Sequence, residues 1–534
     1  MGKTLFTIVL AMIIACANAT AADTLSSHKP PRPPRTKSNA PRFERQRDEH
    51  TLLTNLVVFI RFADDEEITK SFDEVNQMFN DSTPDASSVW NYFNSMTYSK
   101  INYRSVYTNN ITGSTIVSYQ DSHPRAYYEP YSPSNPIGYE PFPVDAVCPR
   151  EMHLIAEVLH YIDSMNLVDE DINLDGNNDG YIDNISFILK GTVGNWADLL
   201  WPHMEFFHND QADVPYTVTV NGKTPNAYNF EFENSGYYFS ANVFSHEMGH
   251  SLGLPDFYHY TNYSNVAPVG IWDQMAQNNM QQVSTILKYK FLNLIDEPVQ
   301  ITEDGTYTLL SNASSSTQNC YYIKSAIDST QWYTFEFRNP YDFMEDVPGK
   351  GLIIGRWVDT MDVNDMYESG NGFFDFHNRA HSYWVFRPGS NIDTVDGQIW
   401  YAAFSNDVFY ARTSFGPSTD PHPYLTDGTP ETSFEITNIT VNGNSLTFDV
   451  HFFDVGIRPL SEEKLEIYPN PAHNTLNITT DSAKSYEIYD MMGKMIMSGN
   501  VSDSQINVSS ISEGLYFIKV YTDKKCLTEK FIKK

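Results

Sequence analysis

Phe244-Ser245-His246-Glu247-Met248-Gly249-His250-Ser251-Leu252-Gly253-Leu254-Pro255-Asp256 is the stretch that decides how the rest of the chain is understood. His246 and His250 stand four apart, so a helix presents both imidazoles on one face, with Glu247 beside them. Two imidazoles with an open coordination position suit Zn2+, which polarises a peptide carbonyl and acidifies a bound water. Glu247 is then placed to take the proton of that water and pass it to the leaving amine. Gly253 is where the helix can stop, because glycine accepts the left-handed cap conformation. Leu254-Pro255 carries the chain round, and Asp256 returns to the metal.

A third ligand needs its own argument. No glutamate occurs between Glu247 and Glu297, and Asp256, Asp273 and Asp296 are the only carboxylates of that span. Asp256 occupies the position favoured by the helix stop, with His259, three residues on, as its rival. Further along, Gly270-Ile271-Trp272-Asp273-Gln274-Met275 places a methionine 19 residues after Asp256. Taken alone, such a methionine is core filler.

The arrangement H-E-x-x-H-x-x-G-x-x-D followed by Met275 resembles the metzincin clan, in which a tight Met-turn forms a hydrophobic floor under the zinc. More narrowly, Gly253-Leu254-Pro255-Asp256-Phe257-Tyr258 resembles the immune-inhibitor-A family of secreted bacterial metalloproteases. Ser88-Val89-Trp90-Asn91-Tyr92-Phe93, Trp201-Pro202-His203 and Trp332-Tyr333-Thr334-Phe335-Glu336-Phe337-Arg338 extend the likeness across residues 51–455. The resemblance implies an endopeptidase with a deep zinc cleft between two subdomains. The chain departs from it at Tyr258-His259, where the family often shows tyrosine followed by an acid. A tyrosine can stabilise the tetrahedral intermediate, and Tyr258, Tyr260 and Tyr263 are the candidates.

Asp171-Ile172-Asn173-Leu174-Asp175-Gly176-Asn177-Asn178-Asp179-Gly180-Tyr181-Ile182-Asp183 is a dense array of oxygen ligands. From Asp175 it starts like an EF-hand loop, but Ser186 stands where the bidentate glutamate belongs, which argues against a calcium sensor. The family resemblance implies instead a structural Ca2+ loop, with side chains from Asp175, Asn177, Asp179 and Asp183 and the carbonyl of Tyr181. Asp171 and Asn173 are further candidates. A plain Asn/Asp/Gly turn is the alternative.

Alternating apolar runs and helical patterns organise the first half: strand-like Leu56–Ile60 and Ile185–Leu189, helical Ser88–Met96 and Glu151–Met165. They indicate an α/β (α+β) metzincin-like protease domain over 51–296. From about residue 297 the chain turns strand-rich, with runs at Gly305–Leu310, Trp332–Phe337, Gly351–Val358 and Ser433–Phe453. These indicate a β-sandwich-like accessory domain over 297–455. A last unit, 456–534, carries Leu465-Glu466-Ile467-Tyr468-Pro469-Asn470-Pro471, Tyr486–Asp490, Gly514–Val520 and a terminal Lys530-Phe531-Ile532-Lys533-Lys534. It resembles the small β-sandwich sorting domain of the type IX (Por) secretion system.

Met-Gly-Lys, an apolar run from Leu5 to Ala15 and Ala17-Asn18-Ala19 make a signal peptide over 1–19. Ile13-Ile14-Ala15-Cys16 leaves open a lipoprotein anchored at Cys16. Residues 20–50 are a Pro- and Arg-rich linker or short pro-segment. Cleavage after Ala19 leaves Cys148, Cys320 and Cys526, enough for one bridge at most. No later run is apolar for long enough to span a bilayer.

The 67 Asp+Glu and 35 Lys+Arg leave a net charge of −32, which disfavours nucleic acid as a partner. The excess is local: residues 51–462 hold 54 acidic against 18 basic side chains. The expected activity is therefore zinc-dependent endoproteolysis of extracellular proteins. A surface adhesin built on an inactive protease domain, and a protease restricted to glycoproteins such as mucins, are the alternatives.

Overall fold

The computed structural model describes residues 38, 50–139, 149–192, 199–200, 202–234, 239–260, 266–360, 370–372, 381–406, 412–453, 465, 467–478, 483–491, 493–501, 504–522 and 526–534. The expected signal peptide, Cys16, nearly all of the 20–50 linker, Cys148, Trp201 and Tyr263 lie outside these residues. The chain divides into two compact units, Met1–Val455 and Gly456–Lys534.

The first unit is mixed α and β. One sheet orders its strands Ile101–Tyr107, Thr51–Arg61, Asn184–Leu189, Ala227–Phe232 and His203–Phe206; the last pairs antiparallel at the edge and the others are parallel. Thr51–Arg61 shows why its apolar run is nearly continuous. Leu53, Val57 and Phe59 enter one core while Leu56, Val58 and Ile60 enter another, so both faces are covered. The Pro149–Ser164 helix supplies Met152, Ile155, Leu159 and Ile162 to the second core, as its spacing predicts. The Val89–Met96 and Ala241–Ser251 helices cover the opposite face. Ser88 caps the former, its hydroxyl accepting the Asn91 amide at 3.1 Å.

A polar patch lies within that face. Asn184 donates to Asn55 at 2.8 Å and to Asn229 at 3.0 Å, and Ser251 at the end of the Ala241–Ser251 helix donates to Asn184 at 2.6 Å. The helix is thereby registered on the sheet by hydrogen bonds as well as by packing, because buried polar groups left unpaired would be costly.

Beyond residue 297 a five-stranded sheet runs Tyr383–Val385, Gly351–Val358, Gln331–Arg338, Cys320–Lys324 and Val299–Gln300. A three-stranded one runs Gly305–Leu310, Ser445–Phe452 and Phe434–Asn442. Apolar side chains of both sheets share one core. The expected run Ser433–Phe453 is a hairpin, broken where Gly443 takes φ +60° between Asn442 and Ser445. Trp332, Ile353, Trp357 and Tyr383 of this region also enter the core that contains Phe244, Met248 and Met275, so residues on either side of 296 pack into one unit. Cys320 is a buried free thiol.

The second unit contains a three-stranded sheet, Ile467–Tyr468, Thr475–Ile478 and Gln505–Asn507, and a four-stranded one, Met495–Asn500, Ser485–Tyr489, Gly514–Tyr521 and Cys526–Lys533. Leu476, Ile488, Ile518 and Phe531 are among the residues of its core.

Candidate metal centre

His246, Glu247 and His250 occupy the Ala241–Ser251 helix, all three buried, with one ligand atom from each within 4.8 Å of the others. The helix ends as glycine permits: Gly253 takes φ +88°, and the Leu254 amide returns to the Gly249 carbonyl at 3.2 Å. That closure places Leu254 O 2.7 Å from His250 Nδ1, while Gln274 O lies 2.8 Å from His246 Nδ1. Carbonyls only accept, so each Nδ1 carries a proton and each Nε2 is left facing the site, donating when the imidazole is charged and offering a lone pair when it is neutral.

Both Nε2 atoms converge on Asp256. Its Oδ1 lies 3.2 Å from His246 Nε2 and 3.3 Å from His250 Nε2, and it is buried with no further partner among the described residues. Donors about 2.0–2.2 Å from a tetrahedral zinc stand about 3.3 Å from one another, so this set of atoms fits the ion. The second oxygen, Oδ2, accepts the Tyr260 hydroxyl at 2.8 Å. Burial alone would push the Asp256 carboxyl up, but the two imidazoles outweigh it and hold the group well below the usual carboxylate range. Burial works against charge on His246 as well; Asp256 and Glu247 overcome it and raise the imidazole to about 9.

Met275 lies under the helix, fully buried, with its sulfur so near Gly249 that a Cβ there would stand 3.0 Å from it. Its carbonyl accepts the Phe257 amide at 2.7 Å, fixing the residue next to Asp256. Tyr258 packs its ring 6.2 Å from that of His246, and its hydroxyl is buried with no hydrogen-bond partner among the described residues. Tyr258 and Tyr260 thus part company. Tyr260 hydrogen-bonds Asp256, whereas the Tyr258 hydroxyl makes no such bond among the described residues, and burial together with the nearby Asp256 carboxylate pushes its phenol well up.

His259 turns away. Its Nε2 meets His381 Nε2 at 2.6 Å in nearly parallel rings, and His381 Nδ1 lies 3.1 Å from Asp393 Oδ2, a carboxylate that also pairs with Arg356. A separation of 2.6 Å is that of a hydrogen bond and is shorter than two ligands of one ion would allow. The segment bearing Asp256 is gripped from the β-rich region as well. Asn371 N donates to Asp256 O at 2.8 Å, and Tyr260 N to Gly372 O at 2.9 Å. A Cβ on Gly372 would stand 2.1 Å from the Tyr260 ring. His381, Asp393, Asn371 and Gly372 carry no signal in sequence spacing, since each lies over a hundred residues from the motif it supports.

The acidic loop is closed largely on itself. Asp175 accepts the amides of Asp179 at 2.9 Å and Gly180 at 3.0 Å, Asn177 Oδ1 that of Asp179 at 3.1 Å, and Asp179 that of Tyr181 at 2.9 Å. Asp183 Oδ2 accepts Thr54 N and Gly176 N, while its Oδ1 is buried without a hydrogen-bond partner among the described residues. Lys223 Nζ lies 2.6 Å from Asp175 Oδ2. Asn173 Oδ1 accepts the Asp175 amide at 3.1 Å.

No helix among the described residues is long and apolar enough to cross a membrane. Over 58 residues the chain is 34% identical to beta-agarase D of Zobellia galactanivorans, a match covering 11% of this chain and 12% of that protein. A solved structure, from work on PorZ as an essential surface component of the type-IX secretion system of Porphyromonas gingivalis, aligns over 42% of this chain and 32% of that one. The identity is 11% and the TM-score 0.13, too low to bear on the fold. The chain thus spans only a small part of the length of either relative. Residues 466–534 match the family model of the secretion system C-terminal sorting domain, which marks the protein for type IX secretion to the exterior or the cell surface. Residues 148–284, which contain His246, Glu247, His250, Asp256 and Met275, match the family model of the immune inhibitor A peptidase M6 catalytic domain, so this segment is similar to a metallopeptidase catalytic domain.

Proposed function

We propose that this protein is a secreted zinc endopeptidase that hydrolyses extracellular proteins. The observation that carries the proposal is the convergence of two Nε2 atoms on one buried carboxylate oxygen at 3.2 and 3.3 Å, with Glu247 on the same helix. His246, His250 and Asp256 would hold the ion. When bound, zinc polarises the scissile carbonyl and lowers the pKa of water.

The other roles fall to the chain itself. Glu247 accepts the proton of the attacking water and delivers it to the departing amine nitrogen. Tyr258, whose hydroxyl has no hydrogen-bond partner among the described residues, donates it to the oxyanion of the tetrahedral intermediate. Met275, fully buried beneath the helix, keeps water from the underside of the site. Incubating chelated and zinc-reloaded protein with casein and with glycosylated mucin tests this. Zinc-dependent peptide fragments from casein are expected, and their absence with bound zinc present sinks the endopeptidase assignment.

The loop 171–183 is proposed as a structural calcium site, supported by Asp183 Oδ1, which has no hydrogen-bond partner among the described residues. Burial pushes the Asp183 carboxyl from its ordinary 3.8 up to about 7. A raised folded value means that the stabilisation by the neutral form is complete below 3.8 and is lost as pH rises through about 7. A cation on the loop offsets that loss. Calcium is therefore expected to raise the melting temperature by several degrees near pH 8 and by little near pH 5. Because Lys223 already neutralises part of Asp175, Lys223→Ala is expected to enlarge the calcium effect. Melting curves that ignore calcium at both pH values, in both proteins, would mark the loop as a self-sufficient turn.

A further inference from the structure

The Met-turn is anchored from an unexpected side. Arg338, on the Gln331–Arg338 strand, is fully buried and all five of its N–H donors are engaged. Nε donates to Glu345 Oε1 at 2.9 Å, Nη1 to Trp272 O at 2.6 Å and Glu336 Oε1 at 3.0 Å, and Nη2 to Gln282 O at 2.9 Å and Glu345 Oε1 at 2.5 Å. Two of these acceptors are main-chain carbonyls at opposite ends of the segment 272–282. Asp273 closes the same segment from within, accepting Met275 N at 2.7 Å and Ser284 N at 2.6 Å. Between those ties lie the Gln274 carbonyl, which fixes His246 Nδ1, and the Met275 carbonyl, which fixes Phe257 N beside Asp256.

We infer that Arg338 is a positioning residue for the metal centre: by gripping Trp272 O and Gln282 O it holds the turn that orients His246 and places Asp256. The inference rests on the metal-centre assignment made above. A lysine could not replace it, since one ammonium on a flexible stem lacks the planar fork that reaches two separated carbonyls and two carboxylates at once. Glu336 steadies the strand end in turn, its Oε2 accepting Thr285 N at 2.7 Å and Thr285 Oγ1 at 2.8 Å. Arg338 touches neither His246 nor Asp256 in this chain of contacts, so its effect is expected in how tightly and in what geometry the metal is held.

The test uses the full chain and needs no proteolysis assay. Zinc dissociation constants by chelator competition, and visible absorption spectra of the Co2+-loaded protein, are compared for wild type, Arg338→Lys and Glu336→Gln. Arg338→Lys is expected to weaken zinc about 10- to 100-fold, as loss of an outer support does elsewhere, and to alter the Co2+ bands. Glu336→Gln disturbs the same buried network but leaves both carbonyl contacts, so it is expected to lower the melting temperature without either change. Wild-type affinity in Arg338→Lys overturns the inference, and so do equal losses in the two variants. Should Arg338→Lys fail to fold, Arg338→Gln decides, because its single neutral amide can reach at most one of the two carbonyls and adds no buried charge: a tenfold loss of zinc affinity supports the inference and an unchanged affinity overturns it. Wild-type protein that takes up no zinc removes the metal-centre assignment and this inference together, an outcome separate from all the others.

Discussion

Glu247→Gln is expected to bind zinc as tightly as the wild type and to cleave protein substrates about 10^2- to 10^4-fold more slowly, the usual contribution of a positioned general base. The expectation follows from where the side chain sits. Glu247 is 4% exposed on a helix whose two histidines face Asp256, and the proposed ligand set of His246, His250 and Asp256 leaves it free to act as the base. Glutamine keeps the volume and the hydrogen-bonding oxygen and loses only the ability to take a proton. Metal content by mass spectrometry and initial rates on a quenched peptide check both halves. Unchanged rates would show that some other group is the base. Lost zinc would show that Glu247 is a ligand.

Asp256→Ala is expected to weaken zinc by more than about 100-fold, beyond what removal of an outer partner costs. The substitution deletes the one oxygen that faces both Nε2 atoms and strands the Tyr260 hydroxyl, which would lose its acceptor at 2.8 Å. Two milder changes act on the same contact. Tyr260→Phe removes the hydroxyl, and Gly372→Ala drives a methyl group into the Tyr260 ring, where only 2.1 Å is available. Each is expected to cost about tenfold in zinc affinity, and the double variant about the same as either, since both break one hydrogen bond. Chelator competition measures all four proteins. An Asp256→Ala variant with wild-type affinity would return the third-ligand role to His259 or to another donor.

These outcomes bear on different parts of the molecule, and those parts were not equally visible in the chain. The helix that carries His246, Glu247 and His250 was legible because its ligands are four apart and its stop is a glycine, both local properties. The covering of Thr51–Arg61 on both faces was legible for a similar reason, a nearly unbroken apolar run. The run Ser433–Phe453 was legible as β structure but not as two strands, because the Asn442-Gly443-Asn444 turn is embedded in residues that all favour extended backbone.

Choosing among the tyrosines was a different kind of question. Tyr258 and Tyr260 differ by two positions, and nothing local separates them; the distinction arises because Gly372, over a hundred residues away, lets the Tyr260 ring lie against backbone and reach Asp256. Arg338 is similar. In the sequence it closes a strand, and in the fold it ties together Trp272 O and Gln282 O on either side of Met275.

By itself, then, the sequence determined the two histidines, the glutamate between them, the helix stop and Asp256 as candidate chemistry. Those rest on spacing along one helix and one turn, where the covalent chain sets the geometry. The tertiary structure decided which tyrosine serves the carboxylate, where His259 goes, and how Arg338 joins the β-rich region to the site. Those depend on contacts between residues distant in the chain, which only packing two parts of the fold against each other can create.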